Sequence, residues 1–133
     1  MVLLMKRRPD PLPRPTEAEL ELLAVLWEKG PATVRDLHEE IGSRRGIGYT
    51  SVLKLLQIMT EKGLVDREEA NKAHIYRAAA SQEATQNQML RDMSERLFAG
   101  SAAQLALHAL AMEPVGDQEL EELRNLIEKR KRP

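Results

Sequence analysis

The first strong apolar pattern opens at Thr16-Glu17-Ala18-Glu19. A threonine followed three residues later by a glutamate forms a capping box, in which hydroxyl and carboxylate each satisfy an amide at the helix start. Leu20, Leu23, Ala24, Leu26 and Trp27 then recur at helical spacing until Gly30-Pro31 stops the run. Thr33 opens a second helix, with Val34, Leu37 and Ile41 at the buried spacing and Gly42 expected to end it. The basic stretch S-R-R-G-I-G leads to a third helix from Tyr49 to Lys62. Its inward positions are Val52, Leu55, Leu56 and Met59, and Gly63 suits the left-handed residue that follows a helix end.

The period then changes. Leu64–Glu69 and Ala73–Ala78 read as two short strands around Ala70-Asn71-Lys72, anchored by Val65, Ile75 and Tyr76. From Ser81 the pattern is helical again. Met89, Leu90, Met93 and Leu97 form one stripe, and a second helix runs from Ser101 through Leu105, Leu107 and Leu110 to Pro114. A third is expected to start at an Asp117 N-cap and carries Leu120, Leu123, Leu126 and Ile127. The fold class is therefore mainly α with a small β-hairpin: a winged helix-turn-helix over residues 16–80, followed by a C-terminal helical module over 81–133. Three short amphipathic helices make a poor core alone, so their apolar faces are assigned to dimerisation with a second copy.

Residues 6–15, K-R-R-P-D-P-L-P-R-P, contain four prolines and four basic residues. Proline removes amide donors and forbids helix, so residues 1–15 are expected to form a flexible basic arm, either a plain tail or one that touches DNA. Its positive charges follow the apolar Met1–Met5 stretch, the reverse of a secretory signal, and either methionine can serve as the start. No apolar run approaches the roughly 18 residues of a membrane-spanning helix. A cytoplasmic location is expected.

Composition narrows the chemistry. At 133 residues the chain has about one domain's worth of length and buries roughly 68% of its unfolded surface. It has no cysteine, which excludes disulfides, thiolate metal sites and cysteine nucleophiles. Its aromatic residues are Trp27, Tyr49, Tyr76 and Phe98, too few for base-stacking platforms. Residues 1–80 carry 13 Lys/Arg against 12 Asp/Glu, and residues 81–133 carry 7 against 9. A general polyanion coat would be far more basic. Yet Arg44, Arg45 and Lys54 stand in a stretch from Gly42 to Thr60 that holds no acid.

Catalytic patterns fail on inspection. His38-Glu39-Glu40 begins like H-E-x-x-H, but the second histidine position is Gly42. Gly46-Ile47-Gly48 lacks the third glycine of a dinucleotide loop, where Ser51 stands, and no Gly-Lys-Ser/Thr follows. His74 and His108 have no sequence-local partners for acid–base work. No enzyme, metal or cofactor is expected.

The third helix differs. Opposite its inward face it presents Thr50, Ser51 and Lys54, flanked by Leu53 and Gln57. Small hydroxyls approach base edges or phosphates closely and Lys54 adds charge, although the same residues also suit a plain solvated face. Arg44 and Arg45 are expected beside the positive end of that helix's dipole. The hairpin adds Arg67, Lys72, His74 and Arg77. Strand alternation sets His74 on the Tyr76 face, while its place beside the turn points to solvent exposure. A helix plus a basic wing fits DNA binding.

Four segments carry a family likeness: T-E-A-E-L-E-L-L-A-V-L-W, A-T-V-R-D-L, Y-T-S-V-L-K-L-L-Q-I-M-T-E-K-G-L-V and A-H-I-Y-R-A. Over roughly residues 16 to 130 the chain resembles the penicillinase-repressor (BlaI/MecI/CopY) family of bacterial transcriptional repressors. The likeness is strongest from Tyr49 to Val65. It implies a dimer of winged-helix domains on a palindromic operator, with Thr50, Ser51 and Lys54 in the major groove and Lys72 near the backbone. It also implies release through a membrane-bound sensor metalloprotease that triggers cleavage in the C-terminal module. Cleaved members have an Asn-Phe pair where this chain has His108-Ala109, and the paired cysteines of copper-responsive members are absent. Ile58 stands where most members have a basic residue.

The combined expectation is a homodimeric DNA-binding repressor. Base reading falls to Thr50, Ser51 and Lys54, and affinity to Arg44, Arg45, Arg67, Lys72 and His74. Dimer contacts fall to Met89, Met93, Leu97 and Phe98, then Leu105 and Leu110, then Leu120, Leu123, Leu126 and Ile127. Two alternatives stand beside it. One is a winged-helix protein-interaction module without specific DNA binding. The other is a ligand-sensing regulator whose pocket is lined by Met89, Met93, Leu97 and Phe98.

Overall fold

The Thr16 hydroxyl accepts from the Glu19 amide at 3.3 Å, and the Glu19 carboxylate accepts from the Thr16 amide at 2.9 Å. Helix α1 (Glu17–Lys29) thus begins where the T-x-x-E pattern places it. This geometry comes from a computed structural model, which describes residues 13–131 apart from the Ser43 side chain. The expected arm lies outside the described residues up to position 12; Pro13–Pro15 enter α1 without regular structure. After α1 come α2 (Val34–Arg45), α3 (Tyr49–Lys62), β1 (Val65–Ala70), β2 (Ala73–Ala78), α4 (Gln82–Leu97), α5 (Ala102–Met112) and α6 (Asp117–Lys131). The described residues fall into two compact units, divided between Met89 and Leu90.

The first unit is a winged helix. Its core joins Leu22, Leu23, Val25 and Leu26 of α1 to Val34, Leu37 and Ile41 of α2 and to Val52, Leu56 and Met59 of α3. Leu64, Val65 and Tyr76 close it from the hairpin. The buried stripe of α1 differs from the expected one: Leu22 and Val25 are inside, whereas Ala24 is exposed and Leu20 and Trp27 are half-buried. The run Leu22–Trp27 is apolar all round, so periodicity alone does not select a face. Leu20, Ala24 and Trp27 instead line a shallow groove with Thr85, Gln86 and Met89 of α4. There the Trp27 indole N–H donates to the Ala80 carbonyl at 2.9 Å.

Helix α2 does not end at Gly42. It continues one further turn to Arg45 and stops at Gly46, whose φ of 68° is the left-handed cap that glycine adopts without a Cβ penalty. Gly42 serves a close approach instead. A Cβ there would lie 2.6 Å from the His38 ring and 3.2 Å from the Ile47 carbonyl oxygen.

In the hairpin, β1 and β2 pair antiparallel with Arg67 opposite Tyr76 and Glu69 opposite His74. Asn71 and Lys72 both take positive φ, 50° and 66°, the two-residue turn whose twist matches the flanking strands. A strand-like contact that the sequence pattern did not indicate completes the wing's base. The Ala32 amide donates to the Tyr76 carbonyl at 3.0 Å, and the Tyr76 amide returns a bond to Ala32 at 2.8 Å.

The second unit comprises the end of α4 with α5 and α6. Ser101 caps α5 by accepting from the Gln104 amide at 3.1 Å. The boundary residue of α6 is Gly116 rather than Asp117: its carbonyl accepts from the Leu120 amide at 2.9 Å, and Asp117 is the first helical residue. Neither α5 nor α6 buries a single residue. Leu97, Leu107, Met112, Leu126 and Ile127 are each more than half exposed. No described helix is long and apolar enough to cross a membrane.

Candidate nucleic-acid interface

Helix α3 has two unlike faces. Val52, Leu56 and Met59 are fully buried, which fixes the rotation of the helix. Thr50, Ser51, Lys54, Gln57 and Ile58 are left exposed on the other side. Gly48 occupies the N-cap and offers no side-chain oxygen, so the first amides of α3 are available to solvent or to an anion.

Arg44 and Arg45 lie on the last turn of α2 and not at the start of α3, because α2 runs past Gly42. Their charge complements the negative end of the α2 dipole. The Arg44 Nε–H donates to the Glu40 carbonyl at 3.2 Å while the residue stays exposed. Arg45 is tied back to α1, with Nε 3.2 Å from Glu21 and a terminal nitrogen 3.6 Å from Glu17. Its guanidinium is committed to packing α2 on α1.

The wing presents Arg67, Lys72 and His74, all exposed. Both placements considered for His74 hold together, because it shares the Tyr76 face by register and is exposed beside the turn. The wing is not net basic, however. Asp66, Glu68 and Glu69 offset Arg67, Lys72 and Arg77, and Arg77 pairs with Glu68 across the strands. Outside that pair the wing's exposed cations are Arg67 on β1 and Lys72 at the tip.

Two positioning contacts escaped the sequence pattern. The His38 ring packs over Gly42 and meets the Tyr49 ring edge-on, with centroids 6.0 Å apart. This contact sets the first residue of α3 against α2; the i, i+4 spacing of His38 and Gly42 was its only trace in sequence. The second is the Lys62 ammonium, 2.7 Å from the buried Glu19 carboxylate, which ties the end of α3 to the start of α1. Burial pushes the Glu19 carboxyl up. The Lys62 hydrogen bond, the Thr16 amide and the Lys62 charge outweigh it and hold the pKa below the usual carboxylate range.

Among the described residues no group of three or more His, Cys, Asp or Glu is placed to hold a metal. A buried three-helix core, a two-stranded wing and an exposed hydroxyl- and lysine-bearing helix face define a winged helix-turn-helix protein of the kind that regulates transcription. The chain belongs to the family described as Penicillinase repressor, whose sequence profile matches residues 15–129. It is a BlaI/MecI-family transcriptional repressor and not an enzyme. It is 25% identical over 115 residues to the methicillin resistance regulatory protein MecI of Mammaliicoccus sciuri, covering 86% of this chain and 94% of that one. It is 30% identical over 118 residues to the transcriptional regulator BlaI of Mycobacterium tuberculosis, covering 87% and 84% respectively. Among solved structures, the YusO protein of Bacillus subtilis overlaps 86% of this chain and 73% of its own at a TM-score of 0.47 and 18% identity.

Proposed function

We propose that this repressor binds a palindromic operator as a homodimer, inserting α3 into the major groove and resting the wing on the backbone. The observation that carries the reading is the exposed face of α3, free of acid from Tyr49 to Thr60, with Thr50, Ser51 and Lys54 held outward by the burial of Val52, Leu56 and Met59 and Glu61 only in the last turn. Specificity is assigned to Thr50, Ser51 and Lys54. Phosphate affinity is assigned to Arg44, Arg67 and Lys72, with His74 beside the tip. Arg45 contributes by holding α2, since its charge already faces Glu17 and Glu21. The residues from 81 onward supply the dimer contact, and repression is occlusion of promoter DNA by two coupled half-site readers. A sensor-triggered signal that cuts or loosens this module uncouples the half-sites and lowers operator affinity steeply.

The test is fluorescence anisotropy of the purified protein on its own upstream DNA, at two salt concentrations, with a scrambled duplex as competitor. If six to eight phosphates are neutralised per dimer, log affinity falls with log salt at a slope of roughly −5 to −7. Lys54→Ala is expected to weaken binding by about 1 kcal/mol or more. A slope near zero, or equal competition by the scrambled duplex, favours a protein partner for the winged helix instead.

A further inference from the structure

On the exposed face of α3, Ser51, Lys54 and Ile58 follow one another at i, i+3 and i+7 and therefore form a single stripe. The first two are polar. Ile58 is 38% exposed and stands outside the apolar cluster, although its neighbours Leu55, Leu56 and Met59 all pack into or against that cluster. A β-branched residue gains nothing in helix propensity at an exposed position. Its side chain is left partly open to solvent, on the stripe that carries the hydroxyl and the ammonium.

We propose that Ile58 is a specificity-determining residue that contacts a thymine methyl group in each half-site. The inference rests on the operator-binding reading given above. In the major groove the C5-methyl of thymine is the apolar feature of a base edge, whereas the remaining groups are hydrogen-bond donors and acceptors. Ile58 lies about 10 Å along the axis from Ser51, at about 1.5 Å per residue. The stripe thus offers polar groups near its start and an apolar contact about two turns further along the helix. The single preferred χ1 rotamer of isoleucine in a helix keeps the ordering cost of this contact low.

The test uses the full chain and the stretch of its own upstream DNA that it protects, resynthesised with each thymine replaced singly by deoxyuridine. This replacement removes the methyl and leaves every hydrogen-bonding group in place. Losing one buried methyl is expected to weaken binding roughly 3- to 5-fold at one thymine per half-site. Ile58→Ala should bind more weakly and be indifferent to uracil at that thymine, with Ile58→Val intermediate. Wild-type indifference at every thymine, or equal sensitivity in Ile58→Ala, overturns the proposal while leaving operator binding intact. Absence of any preferred duplex overturns both together.

Discussion

The Glu19 carboxylate accepts from the Thr16 amide and from the Lys62 ammonium while its side chain is almost wholly buried. With Lys62 removed, burial is left as the main influence, and the cap amide alone does not compensate a buried charge. Lys62→Met is therefore expected to cost about 1–3 kcal/mol at neutral pH, measured by urea denaturation. The pH dependence gives the signature. In the native protein the folded pKa of Glu19 is lowered, so its contribution is complete above the ordinary carboxylate pKa. It is lost as pH falls through the lowered folded value. In Lys62→Met the Lys62 hydrogen bond and charge that lower the folded pKa are gone while burial still opposes ionisation, so acidification removes less stability. The gap between the two proteins should narrow from pH 7 to below about pH 4. A gap independent of pH would mean that Lys62 acts through its hydrocarbon stem alone. The cap half of this contact was legible in the T-x-x-E spacing. The Lys62 half was not, because a partner 43 residues away leaves no local periodicity.

Gly42 was read as the end of a helix, since glycine punctuates helices far more often than it fills them. Its buried place inside α2 follows instead from the His38 ring and the Ile47 carbonyl, which occupy the space a side chain would need. Gly→Ala at an open helical site stabilises by about 0.4–1 kcal/mol, chiefly through the unfolded chain. Gly42→Ala is expected to do the reverse and lower stability by about 1–2 kcal/mol, through overpacking. The His38 ring can swing aside, whereas the Ile47 carbonyl is backbone. His38→Ala combined with Gly42→Ala should therefore recover part of the loss and leave the rest. Full recovery would place the whole conflict on the imidazole. The helices and the hairpin were legible because each repeats its signal over many residues. The Ala32 pairing with β2 was not, because one residue after a proline has no period to detect.

Across the whole molecule, apolar residues are divided unevenly between the two units. The first encloses most of its large side chains, Tyr49 and Ile58 excepted; the second leaves Leu107, Leu126 and Ile127 at 60%, 55% and 55% exposure. Between α5 and α6 a groove of about 560 Å³ is lined by Leu110, Pro114, Val115, Leu123 and Leu126 together with Glu113, Glu119 and Glu122. An apolar surface of this extent on a small helical unit marks an interaction site. The stripes that form it were legible as amphipathic helices, but a stripe states that it will be covered and not by what. A second copy of the same unit is the occupant that the operator-binding reading requires. Leu126→Asp places a charge where apolar burial is proposed, and desolvating it opposes association. The variant should sediment as a monomer and lose operator binding, because each half-site reader then binds alone. The first unit should keep its stability, since α6 contributes nothing to the core of α1–α3 and the hairpin. A variant that remains dimeric and binds its operator normally would remove Leu126 from the interface and assign dimerisation to the exposed stripe of α4 instead.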